Sequence, residues 1–308
     1  VGIIRSNAAF YLDARRRGVD FGRTVTLGRQ RVYLRPGDFR ALAGQYLPGR
    51  HVETLDLDYG GPADAFLARF LGVRELTALD HSTYEGAGLI HDLNVPVPAD
   101  LEQRFDAVVD AGTLEHVFNA PVAFANCMRM VKPGGTVFLC SPANNTCGHG
   151  FYQFSPEFFF RVFDRANGFS LTRLVLVTHP FPGAELSSRQ TWYEVRDPAA
   201  IGARAPLMTT MPAFLMVEAR RVEAVPILAH APQQSDYVTR WAPSGPVLPA
   251  TGFARSLFRR APASVRAFVT GWYQRAVLCN LHNRRAFRRL TSRRRSTMTP
   301  PSRSGGAG

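Results

Sequence analysis

The sequence predicts an α/β fold on a mainly parallel sheet. Two observations carry this. Short runs rich in Val, Leu, Phe and Thr alternate with helix-like stretches over about two thirds of the chain. Acids recur just past the ends of those runs, at Asp80 and Asp110, where open parallel sheets bind ligands. In chain order, residues 6–17 read as a short helix with Ser6 or Asn7 as its cap. Strands are expected at 24–27, 52–57, 75–79, 105–109, 136–140, 171–177 and 213–219. Helices are expected at 63–71, 120–130 and 156–166, the last capped by Ser155 with Pro156 at its first position. No convincing helix separates the last two strands, so they are expected to form an antiparallel hairpin at the sheet edge.

The composition shifts near Val225. Residues 1–225 read as one domain. Residues 226–250, with Pro226, Pro232, Pro243, Pro246 and Pro249, read as an extended linker. Residues 251–290 read as a basic helical extension. Its Phe268, Val269, Trp272, Tyr273, Ala276, Val277 and Leu281 make an apolar stripe. Residues 291–308 are of low complexity and expected to be disordered.

The 308 residues carry a net charge of +13, and its placement is uneven. From Tyr237 onward there are 14 arginines and no acid, while the preceding 236 residues balance 23 basic against 24 acidic side chains. A nearly neutral domain with a basic tail excludes a uniformly basic nucleic-acid binder. The basic helix reads first as packed on its own domain with a solvated basic face. An anionic membrane surface and a partner protein are the alternatives, and nucleic acid is not expected, since no base-reading motif with interleaved aromatics is present. No run reaches the roughly 18 apolar residues of a membrane span. No secretory leader is read in residues 1–21, so a cytoplasmic protein is expected, with peripheral placement at the inner membrane surface as the alternative. Cys127, Cys140, Cys147 and Cys279 are too widely spaced for a C-x2-C zinc or redox motif and are expected to be free thiols.

Three stretches carry chemistry. In ELTALDHSTYEGAGLIHD (75–92), Asp80 ends a strand and can accept from both hydroxyls of a ribose, while Asp92 can accept from an adenine amino group. In FDAVVDAGTLEHV (105–117), Asp110 ends the next strand. His116 follows as a candidate base or substrate ligand, since imidazole titrates near neutrality. A local helix-start role is the alternative. Gly148-His149-Gly150-Phe151-Tyr152 follows a later strand and reads as a substrate wall, with His149 and Tyr152 as further catalytic candidates. Asn144 and Asn145 sit at its mouth.

The run FD-x-V-x-D-x-x-x-LEHV, then a helix, then V-K-P-G-G and a strand, resembles the class I S-adenosylmethionine-dependent methyltransferases. The resemblance spans about 24–222. Tyr84–Ala87, Ile90–Asn94, Gly112–Asn119 and Gly148–Glu157 resemble motifs of a bacterial subgroup. It implies a Rossmann-like sandwich of seven strands and S-adenosylmethionine as cofactor. It also implies cofactor contacts from Gly28, Arg29, Asp80, Ser82, Asp92, Leu93, Asp110 and Gly112. The expected reaction is methyl transfer to an oxygen or nitrogen of a small molecule or glycan. The family's G-x-G-x-G loop is absent. Gly28 is the preferred substitute and Gly60 the alternative, and the loss leaves a non-catalytic scaffold as the rival reading. Glu115-His116 is similar to a metal-holding run of the ubiquinone-pathway O-methyltransferases. Ala111 and Gly112 replace the first acid of that pattern, so no metal is expected.

Overall fold

The computed structural model describes residues 2–48, 58–180, 189–241 and 261–291. Its strands are β1 (Gly2–Ile3), β2 (Arg23–Leu27), β3 (Arg31–Val32), β4 (Glu75–Asp80), β5 (Leu89–Ile90), β6 (Phe105–Val109), β7 (Val131–Asn144), β8 (Phe169–Thr178), β9 (Thr191–Val195), β10 (Ala213–Arg221) and β11 (Phe287–Leu290). Its helices are α1 (Arg5–Arg16), α2 (Pro36–Tyr46), α3 (Asp64–Phe66, continued by a π-helical turn at Leu67–Leu71), α4 (Ala120–Met130), α5 (Pro156–Val162), α6 (Pro198–Ile201), α7 (Ser235–Trp241) and α8 (Ala263–Tyr273).

The main sheet has nine strands in the order β11-β9-β8-β10-β7-β6-β2-β4-β5. Seven of them, from β8 to β5, make the expected α/β sandwich. Strands β2, β4, β5, β6 and β7 pair in parallel, and β10 pairs antiparallel to both β7 and β8. Two expectations need correction. The antiparallel pair β8–β10 lies inside the sheet, because β10 inserts between β7 and β8 and the edge beyond β8 is extended by β9. The basic extension is not wholly helical. After α8 and a π-helical turn at Gln274–Leu278, it returns as β11, which pairs with β9.

Both faces of the sheet are covered, so its central strands are apolar on alternate residues to both sides. Val25, Leu27, Val137, Leu139, Leu174 and Leu176 face the layer of α4 and α5. Phe138, Val175, Val177 and Met216 face the layer of α1, α2 and α3. Phe138 is the centre of the second layer: Phe21 stacks on it at 5.0 Å, and Phe10 and Tyr11 meet it edge-on.

Helix α1 starts at Arg5 behind Ile4, without a side-chain cap, and its Ser6 and Asn7 are buried within the first turn. Its buried Asp13 binds Arg16 and Arg17 of the same helix region and Arg173 of β8, the last at 2.6 Å. Arg17 reaches Glu218 of β10. The helix is thereby held to two neighbouring strands by buried charge as well as by its aromatic face.

Helix α5 starts where expected, with the Ser155 hydroxyl accepting from Phe158 N–H, but ends at Val162 rather than at residue 166. Helix α4 ends where the strand begins, and there the buried Arg221 guanidinium donates to the carbonyls of Met128, Arg129 and Val131. Helix α7 forms within the region read as an extended linker, its Ser235 N–H bonded to Glu157. The expected strand at 52–57 and the tail beyond Thr291 lie outside the described residues.

Candidate active site

The site forms at the carboxyl ends of β2, β4, β6, β7 and β8. Strand β2 lies between β4 and β6, so the chain leaving β2 passes between the tips of two acid-bearing strands. Gly28 makes that exit. Its φ of +71° is left-handed, and its N–H donates to Leu79 O at 2.7 Å. A Cβ placed on Gly28 lies 3.8 Å from an Asp80 carboxylate oxygen and 3.7 Å from the Thr113 hydroxyl. Gly28, Asp80 and Thr113 therefore meet at the strand tips. Gly60 lies elsewhere, bonded to Val32 O against β3.

Asp80 is held by the His81 N–H at 2.6 Å. Across the turn, His81 Nδ1 approaches Asp92 to 4.0 Å. Asp92 accepts from the backbone and side-chain nitrogens of Asn94, which hold its carboxyl below the usual range. Leu93 is buried beside it. Two candidates point elsewhere. Arg29 turns toward Asp64 at 3.5 Å and lines a separate cleft of about 400 Å³. Ser82 is exposed, and its hydroxyl accepts from Tyr84 N–H.

Asp110 is wholly buried. One carboxylate oxygen accepts from the Gly112 and Thr113 N–H groups, and the other has no hydrogen-bond partner. Burial raises its pKa to about 7 despite those donors. Glu115, 1% exposed, is raised to about 8 by burial and then by the nearby Asp110 charge. Neither Glu115 oxygen has a hydrogen-bond partner. His149 Nε2 stands 3.5 Å from Glu115 Oε1, an ion-pair distance. The His116 and His149 rings are 5.3 Å apart, and burial together with the His149 charge lowers the His116 pKa.

These groups open onto a cavity of about 500 Å³. Gly112, Glu115, His116, His149 and His179 line it from the sheet side, and Asn7, Tyr33 and Tyr59 from the amino-terminal segment and the insertion after β2. Gly150 fixes this wall. Its φ is +100°, and a Cβ there would fall 2.9 Å from both Glu115 O and His116 Nδ1. The Phe151 and Tyr152 N–H groups both donate to Glu115 O. Tyr152 itself is not in the cavity wall; its hydroxyl donates to Phe118 O at 2.6 Å. Asn145 donates to Met211 O and pins the 207–211 segment to the end of β7.

The donor atoms of Glu115, His116 and His149 all lie within 4.8 Å of one another. Three such donors can hold a divalent cation with a position open to substrate. They can equally move a proton between a carboxylate and an imidazole.

Two contributors escaped the sequence reading. His179 directly follows β8, at the same carboxyl edge as Asp80 and Asp110, and the strand-tip rule that selected those acids applies to it too. Asn126, buried in α4, donates to Leu93 O and Val95 O and accepts from Val97 N–H. It carries the loop that holds Asp92, and nothing in its sequence surroundings marks it.

Residues 61–139 match the methyltransferase domain family. No curated protein matches the chain. Among solved structures, a candidate methyltransferase of Bacillus halodurans is 14% identical, with 71% of this chain and 100% of that one covered, at a TM-score of 0.41. A SAM-dependent methyltransferase of Thermotoga maritima is 18% identical, with 70% and 88% covered, at 0.34. TehB of Haemophilus influenzae is 12% identical, with 68% and 61% covered, at 0.38.

Proposed function

We propose that this chain, whose residues 61–139 match the methyltransferase domain family, is a class I S-adenosylmethionine-dependent methyltransferase that methylates an oxygen or nitrogen of a small molecule or glycan held in the 500 Å³ cavity. The observation that carries this reading is the convergence of Gly28, Asp80 and Thr113 at the strand tips, next in the chain to Gly112 and Glu115, which line the cavity with its ionisable groups. The cofactor supplies an electrophilic methyl group. Asp80 accepts from its ribose hydroxyls, and Asp92 and Leu93 flank its adenine. The left-handed turn at Gly28 lets the backbone approach closely where the family's glycine loop is missing. The partnerless Asp110 oxygen suits the ammonium group of the methionine portion.

Glu115 and His149 handle the acceptor's proton. His149 would take that proton, and Glu115 beside the ring would, in its ionised form, balance the charge that results. His116 and His179 orient the acceptor. The remaining work is alignment and exclusion of water, which the buried floor of the cavity favours.

Calorimetric titration with S-adenosylmethionine and S-adenosylhomocysteine tests the cofactor placement. Two hydrogen bonds to a carboxylate predict at least about 100-fold weaker binding in Asp80→Ala. Unchanged affinity in that variant rejects the ribose assignment. No binding by the wild type up to about millimolar levels favours the scaffold reading. Transfer that survives chelators separates proton transfer from a cation held by Glu115, His116 and His149.

A further inference from the structure

We propose that α8 is an amphipathic helix that lies on an anionic phospholipid surface and docks the methyltransferase domain there. The helix has no buried residue, although the domain it belongs to is present beside it. Val265, Phe268, Val269 and Trp272 follow the i, i+3, i+4, i+7 spacing of a single face, and Phe268 and Trp272 are 74% and 60% exposed. Tyr273 and Val277 continue the exposed apolar surface. The other side carries small residues, among them Ala263, Ala267 and Thr270.

The root of the helix is fixed to the domain. Cys279 O accepts from Met208 N–H at 2.6 Å, Leu281 packs against the core, and β11 pairs with β9. Beyond the helix, Arg288 and Arg289 lie on β11, with Arg288 paired to Glu194.

Charge selects the occupant. The chain from Tyr237 onward holds 14 arginines and no acid, against a balance near zero in the rest, so the domain has no matching excess of acid to hold the helix. An anionic bilayer meets both demands. Its headgroups pair with the arginines, and its acyl boundary takes Phe268 and Trp272 out of water. A nucleic acid would satisfy only the arginines and leave the aromatic stripe in water. No described helix is long and apolar enough to cross a membrane, so the helix lies in the surface plane.

The test is flotation of the full chain with vesicles of phosphatidylcholine, alone or with phosphatidylglycerol as about a third of the lipid. Tryptophan emission is recorded alongside. Binding to the anionic vesicles with a blue shift is expected. It should weaken at least about tenfold in Phe268→Ser/Trp272→Ser, and weaken with added salt. Both side chains are exposed, so the variant should melt with the wild type. Four outcomes overturn the proposal: no binding, equal binding to neutral vesicles, equal binding by the variant, or a wild-type dimer that the variant dissolves. Loss of duplex DNA or RNA binding in the variant, without loss of vesicle binding, overturns it as well.

Discussion

Glu115 is buried, faces Asp110 and lies beside His149, and these three facts set its chemistry. Near neutral pH it still holds a proton, because burial and the neighbouring charge raise it to about 8. Only the ionised carboxylate can balance the charge of a protonated His149 ring. The rate of methyl transfer should therefore rise with pH through about 8, and Glu115→Gln should abolish that rising limb in a pH–rate profile. Gly150 acts on the same pair through space alone. In Gly150→Ala the new methyl group must displace Glu115 O or His116, and the left-handed backbone adds strain. The expected result is a fall in kcat of at least about tenfold, with cofactor affinity unchanged by calorimetry.

At the scale of elements, the site depends on how α4 grips the loop after β5. The Asn126 side chain of α4 bonds to Leu93, Val95 and Val97, and all three bonds are to backbone groups. Asn126→Ala should leave those groups unsatisfied, at a cost of about 1–3 kcal/mol, and weaken cofactor binding through Asp92 without touching the cofactor. Melting and titration of the same variant check both parts.

The elements that sequence patterns reveal are those whose patterns are local. Strands β6 and β10, helix α4 and the Ser155 cap are legible because periodicity and capping are short-range. Strands β1, β3, β5 and β11 have two to four residues, too few for a period, and are set by pairing partners. The insertion of β10 between β7 and β8 is likewise a tertiary choice. In the site, Asp80, Asp110, His116 and His149 are visible as polar residues beside apolar strands. Tyr152 shows the limit of that view, since a tyrosine in a promising loop gives no sign that a backbone carbonyl will hold its hydroxyl.

For the whole molecule, two buried carboxyls of raised pKa make stability depend on pH. Above about pH 4 the unfolded chain releases these protons, whereas the folded chain keeps them until about pH 7 at Asp110 and about pH 8 at Glu115. The folded state binds more protons across that window. These two groups thus lower stability as pH rises from about 4 to about 8, and their contribution is level above it. Denaturant midpoints measured across this range should fall less steeply in Glu115→Gln than in the wild type.

The charged clasp on α1 also orders events in time. Asp13 waits for an arginine 160 residues further along the chain, and Arg17 for a glutamate 201 residues further along. Arg221, which closes the end of α4, follows that glutamate in the same strand. As the chain leaves the ribosome, α1 lacks its electrostatic partners on β8 and β10 until those strands have emerged. Contacts of such span make folding slow and late. A nascent chain halted before β10 exposes the aromatic side of α1 and is a substrate for chaperones, whereas one that has completed β10 can close its second layer in a single step.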